Sequence, residues 1–65
     1  MTLHEYDVVR LRHALPQHGL EAGAVGAIVM VFDSPRAYEV EFCDSEGSTL
    51  ALVQLEEAAL EKVGS

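Results

Sequence analysis

The chain has 65 residues and carries 11 acidic against 4 basic side chains, for a formal net charge of −7. A chain of this length forms one domain over residues 1–65, too small to enclose an active site of ~300 Å³ or more. We therefore predict no enzyme activity, and a functional surface at an edge, a rim or an interface. The acidic balance disfavours nucleic acid, whose binders neutralise phosphate with basic patches, and favours a basic protein partner. The alternative is that the charge serves solubility alone.

Composition predicts a soluble, cytoplasmic protein. Hydrophobic residues make up 49% of the chain, which argues against disorder. No apolar run approaches the ~18 residues that a membrane span needs. The first residues lack the basic start and apolar centre of a signal peptide. The single Cys43 cannot form an internal disulfide, which agrees with a reducing compartment.

The chain begins with a predicted strand and an ordered loop. Apolar and polar side chains alternate over residues 6–11, so that Val9 and Leu11 face the core. Residues 13–22 contain proline and glycine, which are typical of turns, and two leucines that we expect to fold back over one end of the domain.

The central strand is predicted over Val25–Phe32, and the rest of the chain is organised around it. Gly23 and Gly26 suit a tight corner, and the run that follows is rich in β-branched residues. Its apolar side chains fall on both faces of the strand. Either a bulge rotates part of the strand and leaves Met30 and Phe32 outside, or another subunit covers one face.

Two further strands are predicted around a hairpin turn. A turn at residues 33–36, in which a proline favours an extended Ser34, leads to a strand at residues 38–43 with one apolar and one acidic face. Residues 44–47 have aspartate first and glycine fourth, as in a type I turn. The fourth strand, Thr49–Leu55, is again apolar on both faces.

The C-terminal segment allows two interpretations. Residues 56–62 have high helix propensity, yet Leu55 and Leu60 are five apart, which is poor helical spacing. Because five strands close a small barrel better than four, we predict a single helical turn at residues 56–59 and a short strand at residues 60–63. A C-terminal helix is the alternative. The predicted fold is an all-β, five-stranded barrel.

The order of these elements resembles a known family. The residues that carry the resemblance are Tyr6-Asp7-Val8-Val9, His18-Gly19-Leu20, Gly23-x-x-Gly26-x-Ile28-Val29, Tyr38-Glu39-Val40-Glu41-Phe42, Leu50-Ala51-Leu52-Val53 and Leu60. They are similar to a bacterial family of roughly 60-residue proteins of unknown function with an SH3-like barrel, related to KOW-type and Tudor-like modules. The resemblance implies a binding module without catalytic residues, and partners among small neighbouring proteins, as in toxin–antitoxin pairs.

The sequence departs from both functions that such barrels commonly have. KOW-type modules that bind RNA are usually basic in their loops, whereas the loops here carry Glu21, Asp33, Asp44 and Glu46. Peptide-binding SH3 domains use an aromatic-lined groove, and this chain has four aromatic residues and no tryptophan.

An acidic strip is the first candidate interaction surface. It consists of Glu39, Glu41, Asp44 and Glu46. It is either a solvated strand face or a docking surface for a basic protein, and we expect the three arginines to pair with it across the strands.

An apolar set is the second candidate surface. Met30, Phe32, Leu50 and Leu52 belong either to the core or to an exposed patch. Since one small barrel does not readily hold so many apolar side chains, we predict that the excess is buried by homodimerisation.

No metal or cofactor site is predicted. The three histidines and Cys43 lack the spacing of a metal site. We predict a non-catalytic protein-interaction module, an inhibitor or antitoxin-like partner of a basic protein. A KOW-like nucleic-acid-binding module is the alternative.

Overall fold

The computed structural model describes residues 3–64, which form one five-stranded antiparallel sheet. The strands are β1 (Val8–Leu11), β2 (Val25–Phe32), β3 (Ala37–Cys43), β4 (Thr49–Leu55) and β5 (Leu60–Lys62), in the spatial order β4-β3-β2-β1-β5. Two short 3₁₀ turns, Pro16–His18 and Glu57–Ala59, complete the secondary structure of the described residues. Within residues 3–64, no helix is long and apolar enough to cross a membrane. The predicted all-β class and the helical turn before the last strand are confirmed.

Some predicted boundaries are wrong. β1 begins at Val8 rather than at residue 6, because Tyr6 has a φ of +72° and interrupts the extended backbone. Asp7 closes this turn by accepting the His4 backbone N–H at 2.9 Å. A C-terminal helix is excluded, since Leu60–Lys62 pairs with β1.

A bulge divides β2. Ile28 lies opposite Val40 and Met30 lies opposite Glu39, so Val29 is the extra residue. Because the pleat alternates every residue, the insertion exchanges the two faces of the strand beyond it. Ile28 is fully buried, whereas Met30 is half exposed. The predicted bulge is confirmed.

The two β-turns differ in how well the sequence predicted them. Ser34 has a φ of +62° before a cis proline, so its predicted extended conformation is wrong. The steric restriction on a residue before proline favours an extended backbone, and Ser34 departs from it. The turn after β3 forms as predicted: Gly47 has a φ of +86° and its N–H donates to the Asp44 carbonyl at 3.0 Å.

The core lies on the inner face of the curled sheet. Alternate residues of the strands face it, and residues near both chain ends contribute. Its buried members are Leu3, Val9, Leu11, Leu20, Ile28, Tyr38, Val40, Phe42, Val53 and Leu60. The predicted inward positions of Val9 and Leu11 are confirmed. Leu20 is buried and Leu15 packs against the core, so the 13–22 loop folds over the sheet as predicted.

Candidate functional site

The face of the sheet directed away from the core, here called the outer face, is rich in exposed apolar side chains. The register sets one row of side chains across four strands, Leu52 on β4, Glu41 on β3, Ala27 on β2 and Val8 on β1. Residues directly opposite one another in an antiparallel sheet share a face. The large apolar side chains exposed among these strands are Val8, Val25, Met30, Leu50 and Leu52, each between 44% and 57% exposed.

Two bulges shape this face. The bulge in β2 turns Met30 and Phe32 outward, opposite Glu39 and Ala37, and Phe32 is half-buried there. A second register shift lies where Cys43 pairs with Thr49, which makes Leu50 the extra residue of β4. The alternative that Met30, Leu50 and Leu52 belong to the core is therefore wrong.

A shallow depression lies in the middle of the outer face. Its volume is about 240 Å³, and it is lined by Val8, Val25, Gly26, Ala27, Glu41 and Cys43. Five of these six residues are apolar or small, and the free thiol of Cys43 is exposed at its rim. The depression can receive an apolar side chain of a partner, with the Glu41 carboxylate beside it.

The acidic strip does not act as one unit. Glu39 and Glu41 are half-buried on the outer face, and Glu41 Oε2 accepts the Thr49 hydroxyl at 2.7 Å. Asp44 Oδ1 instead accepts the backbone N–H groups of Glu46 and Ser48, both at 2.9 Å. Asp44 therefore holds the turn, whereas Glu39 and Glu41 lie on the outer face of the sheet.

The basic side chains make their contacts elsewhere, so the predicted pairing of the arginines with the acidic strip is wrong. Arg10 pairs with Glu61 at 3.3 Å, Arg36 with Asp33 at 3.2 Å and Lys62 with Asp7 at 3.9 Å. Arg12 donates to the Leu60 carbonyl at 2.9 Å. These are all the lysines and arginines of the chain. None of these contacts within residues 3–64 compensates Glu39 or Glu41.

A polar link behind the sheet was not predicted. Arg36 Nε donates to the Tyr38 hydroxyl at 2.8 Å, and that hydroxyl donates to Glu57 Oε1 at 3.1 Å. Tyr38 is fully buried, so the link ties the second 3₁₀ turn to β3. The hydrogen bond to Tyr38 raises the pKa of Arg36 above its ordinary value, although partial desolvation opposes this shift. No residue spacing in the sequence indicates this contact.

The described part of the chain offers no metal centre. Residues 3–64 contain no group of three or more histidine, cysteine, aspartate or glutamate side chains placed to hold a metal ion. His13 lies beside β4 and the second 3₁₀ turn, where it lines an open depression, and His18 ends the first 3₁₀ turn.

Comparison with known proteins gives a family and no function. The model of a family described as a domain of unknown function (DUF4926) matches residues 5–62. The chain belongs to this family. No curated protein and no solved structure matches it. For this member of DUF4926, the function must therefore be inferred from the geometry and charge of its surface.

The charge of this DUF4926 chain is strongly segregated. Residues 37–61, from β3 to the second position of β5, contain seven acidic side chains and no lysine or arginine. The remainder of the chain contains four acidic and four basic residues, so the whole net charge of −7 lies in this one segment. Four of the seven, Glu39, Glu41, Asp44 and Glu46, lie in β3 and the turn after it, where their grouped charges favour cations. Glu61 lies in β5, at the opposite edge of the sheet from β4, and pairs with Arg10. This uneven distribution of charge can be read from the sequence, but the net charge of the whole chain does not reveal it.

Proposed function

We propose that this domain is a non-catalytic protein-interaction module that binds a basic protein through its outer face. The observation that supports it best is the presence, on one sheet face, of exposed apolar side chains beside uncompensated carboxylates. Soluble proteins rarely leave a large contiguous apolar patch without a partner. Carboxylates within such a patch favour a partner of opposite charge.

The proposed architecture is an SH3-like barrel, as in the bacterial family that the sequence resembles. The strand order β4-β3-β2-β1-β5 and the 3₁₀ turn between the last two strands support it. Such barrels commonly bind peptides, proteins or nucleic acid. Nucleic acid is disfavoured here because every lysine and arginine already contacts a carboxylate or a carbonyl.

Self-association through the outer face is the competing hypothesis. A second copy would bring its own Glu39 and Glu41 against the same carboxylates, and like charges that lose water repel strongly. A basic partner removes that repulsion, so we favour it over a homodimer. The proposed role is that of an inhibitor or antitoxin-like partner that covers a basic surface, and the exposed thiol of Cys43 supports a reducing, cytoplasmic location.

The test compares two charge reversals that change the net charge equally. Glu41→Lys alters the outer face, whereas Glu21→Lys alters an exposed position in the loop before β2. Wild type, both variants and Leu52→Ser are immobilised, exposed to nuclease-treated lysate of the source cell, and the retained proteins are identified by mass spectrometry. We expect one basic protein in stoichiometric amount on wild type and Glu21→Lys, and its loss on Glu41→Lys and Leu52→Ser.

Two results would overturn the proposal. Equal retention by wild type and Glu41→Lys would mean that the outer face is not the binding surface. A parallel sample of untreated lysate provides the second result: retention seen there and lost in the nuclease-treated lysate would favour the KOW-like nucleic-acid module instead. Circular dichroism of each variant establishes that a loss of binding is not a loss of fold.

A further inference from the structure

The two edges of the sheet are unlike. β5 is only three residues long, includes Glu61 and Lys62, and its Leu60 carbonyl accepts the Arg12 side chain at 2.9 Å. β4 is seven residues long, Thr49–Leu55, and contains neither a charged residue nor a proline. Natural proteins protect sheet edges by shortness, charge, proline or bulges. β5 is protected by its shortness and its charges, whereas β4 is protected only by the bulge at Leu50.

The free side of β4 offers unused backbone hydrogen-bonding groups. Among residues 3–64, β4 pairs with β3 and with no other strand. No backbone N–H or C=O group from Thr49 to Leu55 makes a hydrogen bond to the backbone of a turn or loop in the described chain. Alternate N–H and C=O groups along the strand therefore point outward and are available to an added strand.

The charges around the free edge of β4 indicate what kind of added strand would fit there. Glu46 and Glu56, both exposed, lie just before and just after β4. Glu39 and Glu41 lie on the neighbouring strand, and no lysine or arginine occurs in the whole of residues 37–61. A second copy of β4, which is itself uncharged, would bring its own flanking Glu46 and Glu56 beside these carboxylates. An extended segment that is apolar at its centre and basic at its ends is complementary in both respects.

We infer that the free edge of β4 binds an extended segment of the basic partner as an added β-strand. This inference rests on the proposed function and specifies how the partner is recognised. Main-chain hydrogen bonds to the outward groups of Thr49–Leu55 provide the pairing, and alternate side chains provide selectivity. On the outer face, apolar side chains of the added strand pack against Leu50 and Leu52, which are 57% and 55% exposed.

The geometry brings basic side chains within reach of the carboxylates. Neighbouring strands are about 4.8 Å apart, so the backbone of an added strand lies about 10 Å from that of β3. A lysine or arginine on the outer face of the added strand extends across β4 toward Glu41. Residues at the two ends of the added strand lie beside Glu46 and Glu56. The attraction acts over about a Debye length and therefore weakens with salt.

The test uses a synthetic peptide with alternating valine and threonine in its centre and two lysines at each end. Control peptides carry glutamate in place of the lysines, or a proline at the central position. The isotopically labelled full chain is titrated with each peptide and followed by amide chemical shifts and amide hydrogen exchange. We expect slower hydrogen exchange at alternate amides of Thr49–Leu55. Both control peptides should bind at least about tenfold more weakly, because the glutamate peptide lacks the positive charge and the proline peptide cannot complete the strand pairing.

Two matched variants separate the edge from the face. Leu52→Lys adds a positive charge on β4, and Met30→Lys makes the same change on β2, beyond β3. Strand addition at β4 predicts that Leu52→Lys weakens binding by about tenfold and that Met30→Lys changes it less than about threefold, because added charge acts mainly within a Debye length. Both side chains are at least half exposed, so the fold tolerates either change.

Each other outcome contradicts this inference in a different way. Shift changes centred on Val8 and Val25, with both lysine variants equally weakened, would leave a basic partner on the outer face but exclude strand addition. No perturbation at millimolar peptide would exclude strand addition, and the lysate comparison would then decide the proposed function by itself. Protected β4 amides and a sedimenting dimer without peptide would mean that a second copy occupies the edge.

Discussion

Substitution of Gly26 by alanine tests how closely β2 and β3 approach. A Cβ atom at Gly26 would lie 2.7 Å from the Glu41 carbonyl oxygen, 2.8 Å from Phe42 Cδ1 and 2.9 Å from Val40 Cγ1. The first of these is a backbone atom of the paired strand and cannot rotate away. The other two belong to fully buried core side chains. The substitution must therefore separate the strands or displace the core.

The sign of the effect is what makes this prediction decisive. Gly26 has no positive φ, so alanine without a clash would stabilise the domain by about 0.4–1 kcal/mol, by restricting the unfolded chain. Overpacking of a close-packed core instead costs about 1–3 kcal/mol. A domain of this size is stabilised by about 3–5 kcal/mol in total. We expect Gly26→Ala to remove about a fifth or more of the free energy of unfolding.

Urea denaturation followed by circular dichroism measures this free energy, and thermal unfolding should show a lower Tm by roughly 4–8 °C for each kcal/mol lost. Gly47 provides the control, because it has a φ of +86° and a Cβ atom added there would meet no other atom within 4 Å. Gly47→Asn introduces backbone strain without a steric clash and should cost less than Gly26→Ala, since asparagine adopts positive φ more readily than most residues. A Gly26→Ala protein as stable as wild type, or more stable, would refute the close approach of β2 and β3.

Three further predictions concern single side chains. Tyr38→Phe removes the hydroxyl between Arg36 and Glu57, and should lower the free energy of unfolding in urea by about 1–2 kcal/mol; an unchanged midpoint would contradict the link. Asp44→Ala loses both hydrogen bonds in the turn after β3 and should lower the free energy of unfolding by about 0.5–2 kcal/mol. Asp44→Asn keeps an acceptor oxygen and should retain most of that stability. Cys43 should react fully with iodoacetamide without denaturant, as followed by mass spectrometry, and slow labelling would mean that the depression on the outer face is covered.

The fold could be predicted closely because its main determinants are local in the sequence. Val25–Phe32 is β-branched, residues 38–43 alternate strictly, and the 44–47 turn has aspartate and glycine at fixed positions. The boundary errors occur where a single residue adopts an unusual backbone conformation. Tyr6 and Ser34 have positive φ, and neither residue type requires it. At Tyr6, a contact distant in sequence contributes, since its backbone N–H donates to the Ile28 carbonyl at 2.7 Å.

The candidate site was less predictable, because it depends on register. Val25 begins an apolar run with no alternation, and its position opposite Arg10 is what puts it on the outer face. The sequence assigned Asp44 both to the acidic strip and to a turn, and the hydrogen bonds that it accepts show that its carboxylate serves the turn. The free edge of β4 likewise follows from strand order, which residue spacing does not determine.

The contacts of the basic residues explain why β3 and the turn after it remain acidic. Lys62 pairs with Asp7 and joins β5 to the start of β1. Arg12 binds the Leu60 carbonyl, and Arg36 binds the Leu3 carbonyl at 3.1 Å. Three of the four bases thus fasten the ends of a small domain whose core alone provides little stability. Because those bases are engaged at the chain ends, the carboxylates of β3 meet no lysine or arginine within residues 3–64. In the proposed complex, the basic partner supplies the cation beside them.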